Sequence, residues 1–115
     1  MSQDPLDPQS LLDQGYIEVA QTSQVGPVMP RRIELQGQGV LLCRDGERIF
    51  ALDELCPHKQ KSMAYGLVME GKLTCPHHQY GFDLETGRCS VRRCEPVQTY
   101  PLEVIEDRVF IKPLR

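Results

Sequence analysis

The sequence predicts an all-β domain of antiparallel sheets, a sandwich or small barrel. Three observations carry this: apolar residues recur in short runs of period two, turn residues separate the runs, and no long amphipathic helical period occurs. In Tyr16–Ala20, Ile17 and Val19 fall on one face, and Ile33 and Leu35 repeat the alternation. Val40–Cys43 and Ile49–Leu52 flank Asp45-Gly46, a hairpin signal because glycine takes positive φ without steric cost. Val68-Met69 and Lys72–Thr74 flank Glu70-Gly71 in the same way. Leu102 and Val104 alternate, Glu106-Asp107 turns the chain, and Val109–Ile111 returns. Residues 1–15, with three aspartates and two prolines, read as a loosely held tail in which Leu11-Leu12 makes a short docking turn. Residues 16–115 read as one domain.

At 115 residues the chain suits a single modest core. A net charge of −3 and a pI of about 5.6 disfavour a nucleic-acid partner, and Arg92-Arg93 reads as a solvated pair. The first residues have neither the basic nor the apolar part of a secretory signal, and Arg31-Arg32 lies too deep for a twin-arginine one. No run of eighteen apolar residues occurs, so the expectation is a soluble cytoplasmic protein with no membrane partner. Five cysteines, an odd number without a signal peptide, argue against a disulfide framework. Cys43 ends an apolar strand and reads as a small core residue. Cys89 and Cys94 read as free thiols in a reducing compartment, able to pair under oxidation. Phe50, Tyr100 and Phe110 are expected in the core.

The chain has three histidines, and each stands beside a Cys-Pro pair: Cys56-Pro57-His58, then Cys75-Pro76-His77-His78. Both segments fall in loops at strand ends, where a scaffold displays ligands. Each loop offers a thiolate and at least one imidazole, at spacings Cys56-x-His58 and Cys75-x-x-His78. A mononuclear zinc site takes the same residue types, although zinc fingers usually pair Cys with nearby Cys and His with nearby His. A [2Fe–2S] cluster with thiolates on one iron and imidazoles on the other fits two mixed loops. Both metals stay open on spacing alone, with iron–sulfur the better fit.

The run CPHKQKSMAYGLVMEGKLTCPHHQYGFDLETGRC resembles the Rieske family pattern: C-x-H, about sixteen residues, C-P-x-H, then F-D and T-G. Here these are Cys56, His58, Cys75, Pro76, His78, Phe82, Asp83, Thr86 and Gly87. The resemblance extends outward to Val40–Leu52 and Tyr100–Ile111. It implies a Rieske-type fold whose cluster-binding part, about residues 55–90, is built from the two loops. It further implies one [2Fe–2S] cluster per chain, with Cys56 and Cys75 on one iron and His58 and His78 on the other at the exposed tip. His77 is then a surface neighbour. Two positions depart from the family, which usually has glycine where this chain has Gln60 and Gln79. Some small Rieske subunits of nitrite reductases also lose these glycines.

Respiratory Rieske proteins carry an extra cysteine in each loop, joined as a disulfide; the matching positions here are Lys61 and His77, so that clamp is absent. Rieske oxygenases add a mononuclear iron held by two histidines and a carboxylate, and with His58 and His78 used only His77 would remain. The chain therefore resembles the ferredoxin-type branch: an electron carrier without a catalytic site of its own, taking electrons from a reductase to a terminal oxygenase. The alternative within the family is the small subunit bound to an NAD(P)H-dependent nitrite reductase large subunit. The alternative outside it is a structural zinc module for protein binding. In the high-potential branch a serine and a tyrosine hydroxyl in the second loop donate to sulfur. The matching Tyr80, too long to replace the serine, and Phe82, without a hydroxyl, imply a low potential.

Overall fold

A computed structural model describes residues 7–57, 60–76, 80–91 and 94–114. The elements in chain order are α1 (Pro8–Asp13), β1 (Ile17–Gln21), β2 (Arg31–Leu35), β3 (Gln38–Asp45), β4 (Arg48–Asp53), β5 (Leu67–Met69), β6 (Lys72–Thr74), β7 (Gly81–Asp83), β8 (Thr99–Tyr100), β9 (Leu102–Ile105) and β10 (Arg108–Ile111). Among the described residues they form three sheets, in orders β1-β10-β9, β2-β3-β4-β8 and β5-β6-β7, and every pairing is antiparallel. The expected all-β antiparallel class is the observed one.

The two longest strands explain how the end carrying the two Cys-Pro loops attaches to the rest. Along β3, Val40 and Leu42 face a core that also holds Ala20, Leu35, Ile49, Ala51, Val109 and Ile111. Leu41 and Cys43 face a second core with Leu52, Met63, Leu73, Phe82 and Val97. Covered on both faces, β3 reads as a continuous apolar run rather than an alternating one. The second core also contains Cys56 and Cys75, so the cysteines of the two Cys-Pro loops are packed onto the main sheet through β3 and β4. Cys43, wholly buried here, has its thiol pushed up to about 12 by desolvation, as befits a structural cysteine.

The tight turns follow their φ requirements. Glu70-Gly71 has both residues at positive φ (53° and 76°), as does Glu106-Asp107 (55° and 63°), the geometry that matches the twist of a two-residue hairpin. Asp45-Gly46 is displaced by one residue from the expectation: Asp45 pairs with Arg48, and the loop is Gly46-Glu47, with Gly46 at 64°. Glycine at the first loop position alone suits a II′ turn, so the strand pairing extends one residue further than the Asp-Gly signal implies. Strand β1 also differs. A bulge between Glu18 and Ala20 breaks the alternation, leaving Ile17 exposed, Val19 half-buried and Ala20 in the core. Within the N-terminal segment, Asp7 caps α1 by accepting a 2.7 Å bond from the Ser10 N–H, and Leu11 is buried. No helix among the described residues is long and apolar enough to cross a membrane.

Candidate metal centre

The first Cys-Pro loop leaves the end of β4 and the second leaves the end of β6. Both close with the same bond. The Cys56 N–H donates to the Lys61 carbonyl at 2.8 Å, and the Cys75 N–H donates to the Tyr80 carbonyl at 2.8 Å, five residues ahead in each case. The first loop is tightened further by the Gln60 N–H donating to the Cys56 carbonyl at 2.6 Å. That geometry holds Gln60 at φ 57°, so the residue replacing the family's glycine still adopts the glycine's left-handed conformation. Cys56 and Cys75 are both fully buried. His58 and His78, and with them His77, Gln79 and the Arg92-Arg93 pair, lie outside the described residues.

Polar anchors fix the first loop to the main sheet. The Glu54 carboxylate accepts from Ser62 Oγ at 2.7 Å and from Arg32 Nε at 2.8 Å, while the Glu54 carbonyl accepts from the Met63 N–H at 2.8 Å. The Ser62 bond, followed by the Arg32 bond and charge, holds the Glu54 carboxyl below its ordinary range despite partial desolvation. Gly39 on β3 makes room: a Cβ there would lie 1.9 Å from Glu54 Oε1. At the second loop, a Cβ on Gly66 would lie 2.1 Å from the Thr74 carbonyl oxygen, one residue before Cys75.

The F-D and T-G elements form a turn that seals the second core. Phe82 is fully buried in it. Asp83 Oδ1 accepts from the N–H groups of Glu85 and Thr86, each at 2.9 Å, and these bonds, Thr86 first, lower its pKa. Gly87, at φ 79°, receives the Val97 N–H on its carbonyl at 2.9 Å, and a Cβ would stand 2.2 Å from the Val97 oxygen. The turn thus carries the chain from β7 toward a third segment, of which Cys89, Cys94 and Val97 pack in the core that holds Cys56 and Cys75. Sequence reading left this segment without a place in the site.

Cys89 and Cys94 both pack against the second core. Cys94 Sγ donates to the Glu95 carbonyl at 3.5 Å, and burial above all pushes its thiol upward. Among the described residues, however, no three of the His, Cys, Asp and Glu side chains gather as a metal cage. Cys56 and Cys75, both buried in the same apolar core, would offer two soft sulfur donors of the kind that suits one iron of a cluster. The donor chemistry fits a mixed-ligand iron–sulfur group. A cavity of about 370 Å³ opens at this end beside Cys75 and Pro76, rimmed by Tyr65, Leu67 and Met69, which are 80%, 44% and 56% exposed.

Comparison with known proteins agrees with this geometry. A family model described as the Rieske [2Fe-2S] domain matches residues 15–101. The anthranilate 1,2-dioxygenase ferredoxin subunit of Burkholderia cepacia is 33% identical over 74 residues, covering 63% of this chain and 68% of that protein. The ferredoxin of carbazole 1,9a-dioxygenase from Nocardioides aromaticivorans IC177 superposes with a TM-score of 0.79 at 28% identity, over 85% of this chain and 97% of the other. A candidate NADH-dependent nitrite reductase small subunit from Mycobacterium tuberculosis shares the fold, with a TM-score of 0.78 at 21% identity, over 87% and 96% of the two chains. With the family match spanning β1 to β8 and both cysteine loops, this chain belongs to the Rieske [2Fe-2S] domain family.

Proposed function

We propose that this chain is a one-electron carrier that takes electrons from a reductase and passes them to a terminal oxygenase. It carries one [2Fe–2S] cluster within a domain spanning 16–115, and it works in the cytoplasm. In this reading Cys56 and Cys75 hold one iron, and His58 and His78 hold the other. The observation that carries it is the pair of buried cysteines on two loops closed by the same backbone bond. When bound, the group supplies reversible one-electron transfer. Two thiolates and two neutral imidazoles leave the oxidised site near neutral, so an added electron meets less opposing charge than it would among four thiolates. The buried apolar core around Cys56 and Cys75 excludes water from the sulfurs. The exposed rim of Tyr65, Leu67 and Met69 offers an apolar face to a protein partner at the same end.

Iron and sulfide analysis of purified variants tests the ligand set. Cys56→Ser, Cys75→Ser and His78→Ala are expected to lose the bound iron, while His77→Ala retains it. Loss in His77→Ala with retention in His78→Ala would reverse the assignment. A red-brown holoprotein, rather than a colourless one, separates iron–sulfur from zinc.

A second reading, the small subunit of a nitrite reductase, is favoured by Gln60 standing in the left-handed position where most of the family has glycine. What co-purifies with the chain from its native host distinguishes the two: a flavin reductase and an oxygenase, or one large reductase subunit.

A further inference from the structure

The first Cys-Pro loop stands on a short ladder of its own. The Glu54 carbonyl accepts from the Met63 N–H at 2.8 Å, Leu55 and Ser62 form an isolated antiparallel bridge, and the Cys56 N–H donates to the Lys61 carbonyl at 2.8 Å. A two-legged ladder of this length fixes the shape of the loop but not its angle to the main sheet. The Glu54 side chain supplies that angle. Glu54 follows β4, and its N–H donates to the Gly39 carbonyl at 3.1 Å, which carries the β3–β4 pairing one residue further. Its carboxylate reaches in two directions: Oε2 accepts from Ser62 Oγ at 2.7 Å on the returning leg, and Oε1 accepts from Arg32 Nε at 2.8 Å on β2. Ser62 Oγ in turn accepts from the Ala64 N–H at 3.1 Å.

The ion pair crosses β3, which lies between β2 and β4. Arg32 is paired with Leu41, so it shares the face on which Leu41 and Cys43 meet the core of Cys56 and Cys75. Gly39 is two residues before Leu41 and lies on the same face. A Cβ there would stand 1.9 Å from Glu54 Oε1 and 3.1 Å from Arg32 Nη2, so the strand is bare where the pair passes over it. The Glu54 side chain is 14% exposed against 44% for Arg32, which leaves its charge less screened than that of an ordinary surface carboxylate.

We propose that Arg32, Glu54 and Ser62 form a strut that positions the Cys56 loop on the main sheet, with two charges that offset each other at the redox site. This rests on the reading of Cys56 as an iron ligand. All three are positioning residues that act through the loop. Because Cys56 is bonded to both Lys61 and Gln60, a swing of the two legs would carry its sulfur away from the place it shares with Cys75 in the core. Two residues of extended chain span at most about 7 Å, so the Glu54 backbone stays within that distance of Cys56. At such range a carboxylate opposes an added electron and a guanidinium favours it. Held together, each masks the other; removal of either one exposes its partner to the site.

The test uses iron-loaded Glu54→Gln, Arg32→Gln, their double variant and Ser62→Ala beside the wild type. In an anaerobic redox titration the midpoint is expected to rise in Glu54→Gln, to fall in Arg32→Gln and to return toward wild type in the double variant. A purely structural role would not give shifts of opposite sign. Shifts of one sign in both single variants, or none in either, would overturn the charge pair. Metal release to a chelator reads the positioning: it is expected to be severalfold faster from Ser62→Ala and from both single variants, with Ser62→Thr restoring the wild-type rate. Wild-type release from Ser62→Ala and Arg32→Gln would overturn the strut, and these two variants decide it if Glu54→Gln holds no iron. A wild type without any one-electron wave would contradict the ligand reading instead, and metal release would then still judge the strut, so the two failures are distinguishable.

Discussion

Gln60 shows how one residue can depart from a family pattern without changing the backbone. Its φ of 57° lies where a Cβ crowds the following carbonyl, at a cost of about 1–2 kcal/mol relative to glycine. The short bond from its N–H to the Cys56 carbonyl and the closure of Cys56 onto Lys61 hold it there. Its own side chain returns little, a 3.5 Å contact from Nε2 to the Pro57 carbonyl. Gln60→Gly should therefore stabilise the protein by about 1 kcal/mol, after glycine's extra unfolded-state entropy is subtracted. A urea titration of iron-loaded protein checks it. A lower midpoint for the glycine variant would mean that the Gln60 side chain contributes more than its visible contact. The sequence identified Gln60 as anomalous; whether the loop had changed shape depended on φ, which composition does not carry.

At the scale of the element, the turn between β7 and the third segment is the most constrained piece. Gly87 needs both its positive φ and its missing Cβ, since Val97 approaches to 2.2 Å of where that atom would stand. Gly87→Ala should cost about 3 kcal/mol or more, from left-handed strain plus displacement of backbone. The variant should also lose iron faster, because Val97 belongs to the core that holds Cys56 and Cys75. Wild-type stability would show that Val97 moves freely away. The same turn sets an acid limb. Asp83 has its pKa lowered by the Thr86 and Glu85 N–H groups, with Lys72 adding a favourable charge. A lowered native pKa binds fewer protons than the unfolded chain, so this stability is full above about pH 4 and declines as pH falls through the native value. Asp83→Asn should flatten that decline in urea midpoints measured at several acidic pH values. An unchanged slope would place the acid sensitivity elsewhere.

Hairpins and strands were largely legible because period-two patterning and turn residues are local. Glu70-Gly71 and Glu106-Asp107 fell where expected. The Gly46-Glu47 loop was displaced because pairing of Asp45 with Arg48 overrides the dipeptide signal, and the bulge after Glu18 left no mark in an alternating run. The convergence of Cys89 and Cys94 with the cysteine loops was illegible, since it depends on how the Asp83–Gly87 turn aims the chain. The motif letters F-D and T-G were visible; their work as a capped turn was not.

Over the whole molecule, one two-faced strand joins a structural core to a core that ends in two sulfur donors, and an acidic chain surrounds them. Phe82 is buried without a hydroxyl to offer, and positions 61 and 77 are Lys and His rather than the cysteines of the respiratory-type clamp, so an added electron lacks those two sources of stabilisation. The central claim is a one-electron site held by two thiolates and two imidazoles, and an anaerobic redox titration of the iron-loaded protein at several pH values tests it most directly. A single one-electron wave at about −150 mV near neutral pH is expected, the low end of the range for mixed Cys and His ligation. The midpoint should fall as pH rises into the alkaline range, because the more positive oxidised iron makes imidazole deprotonation at His58 and His78 easier. A midpoint near −400 mV that stays flat with pH would contradict the account, because that is the behaviour of an all-thiolate cluster.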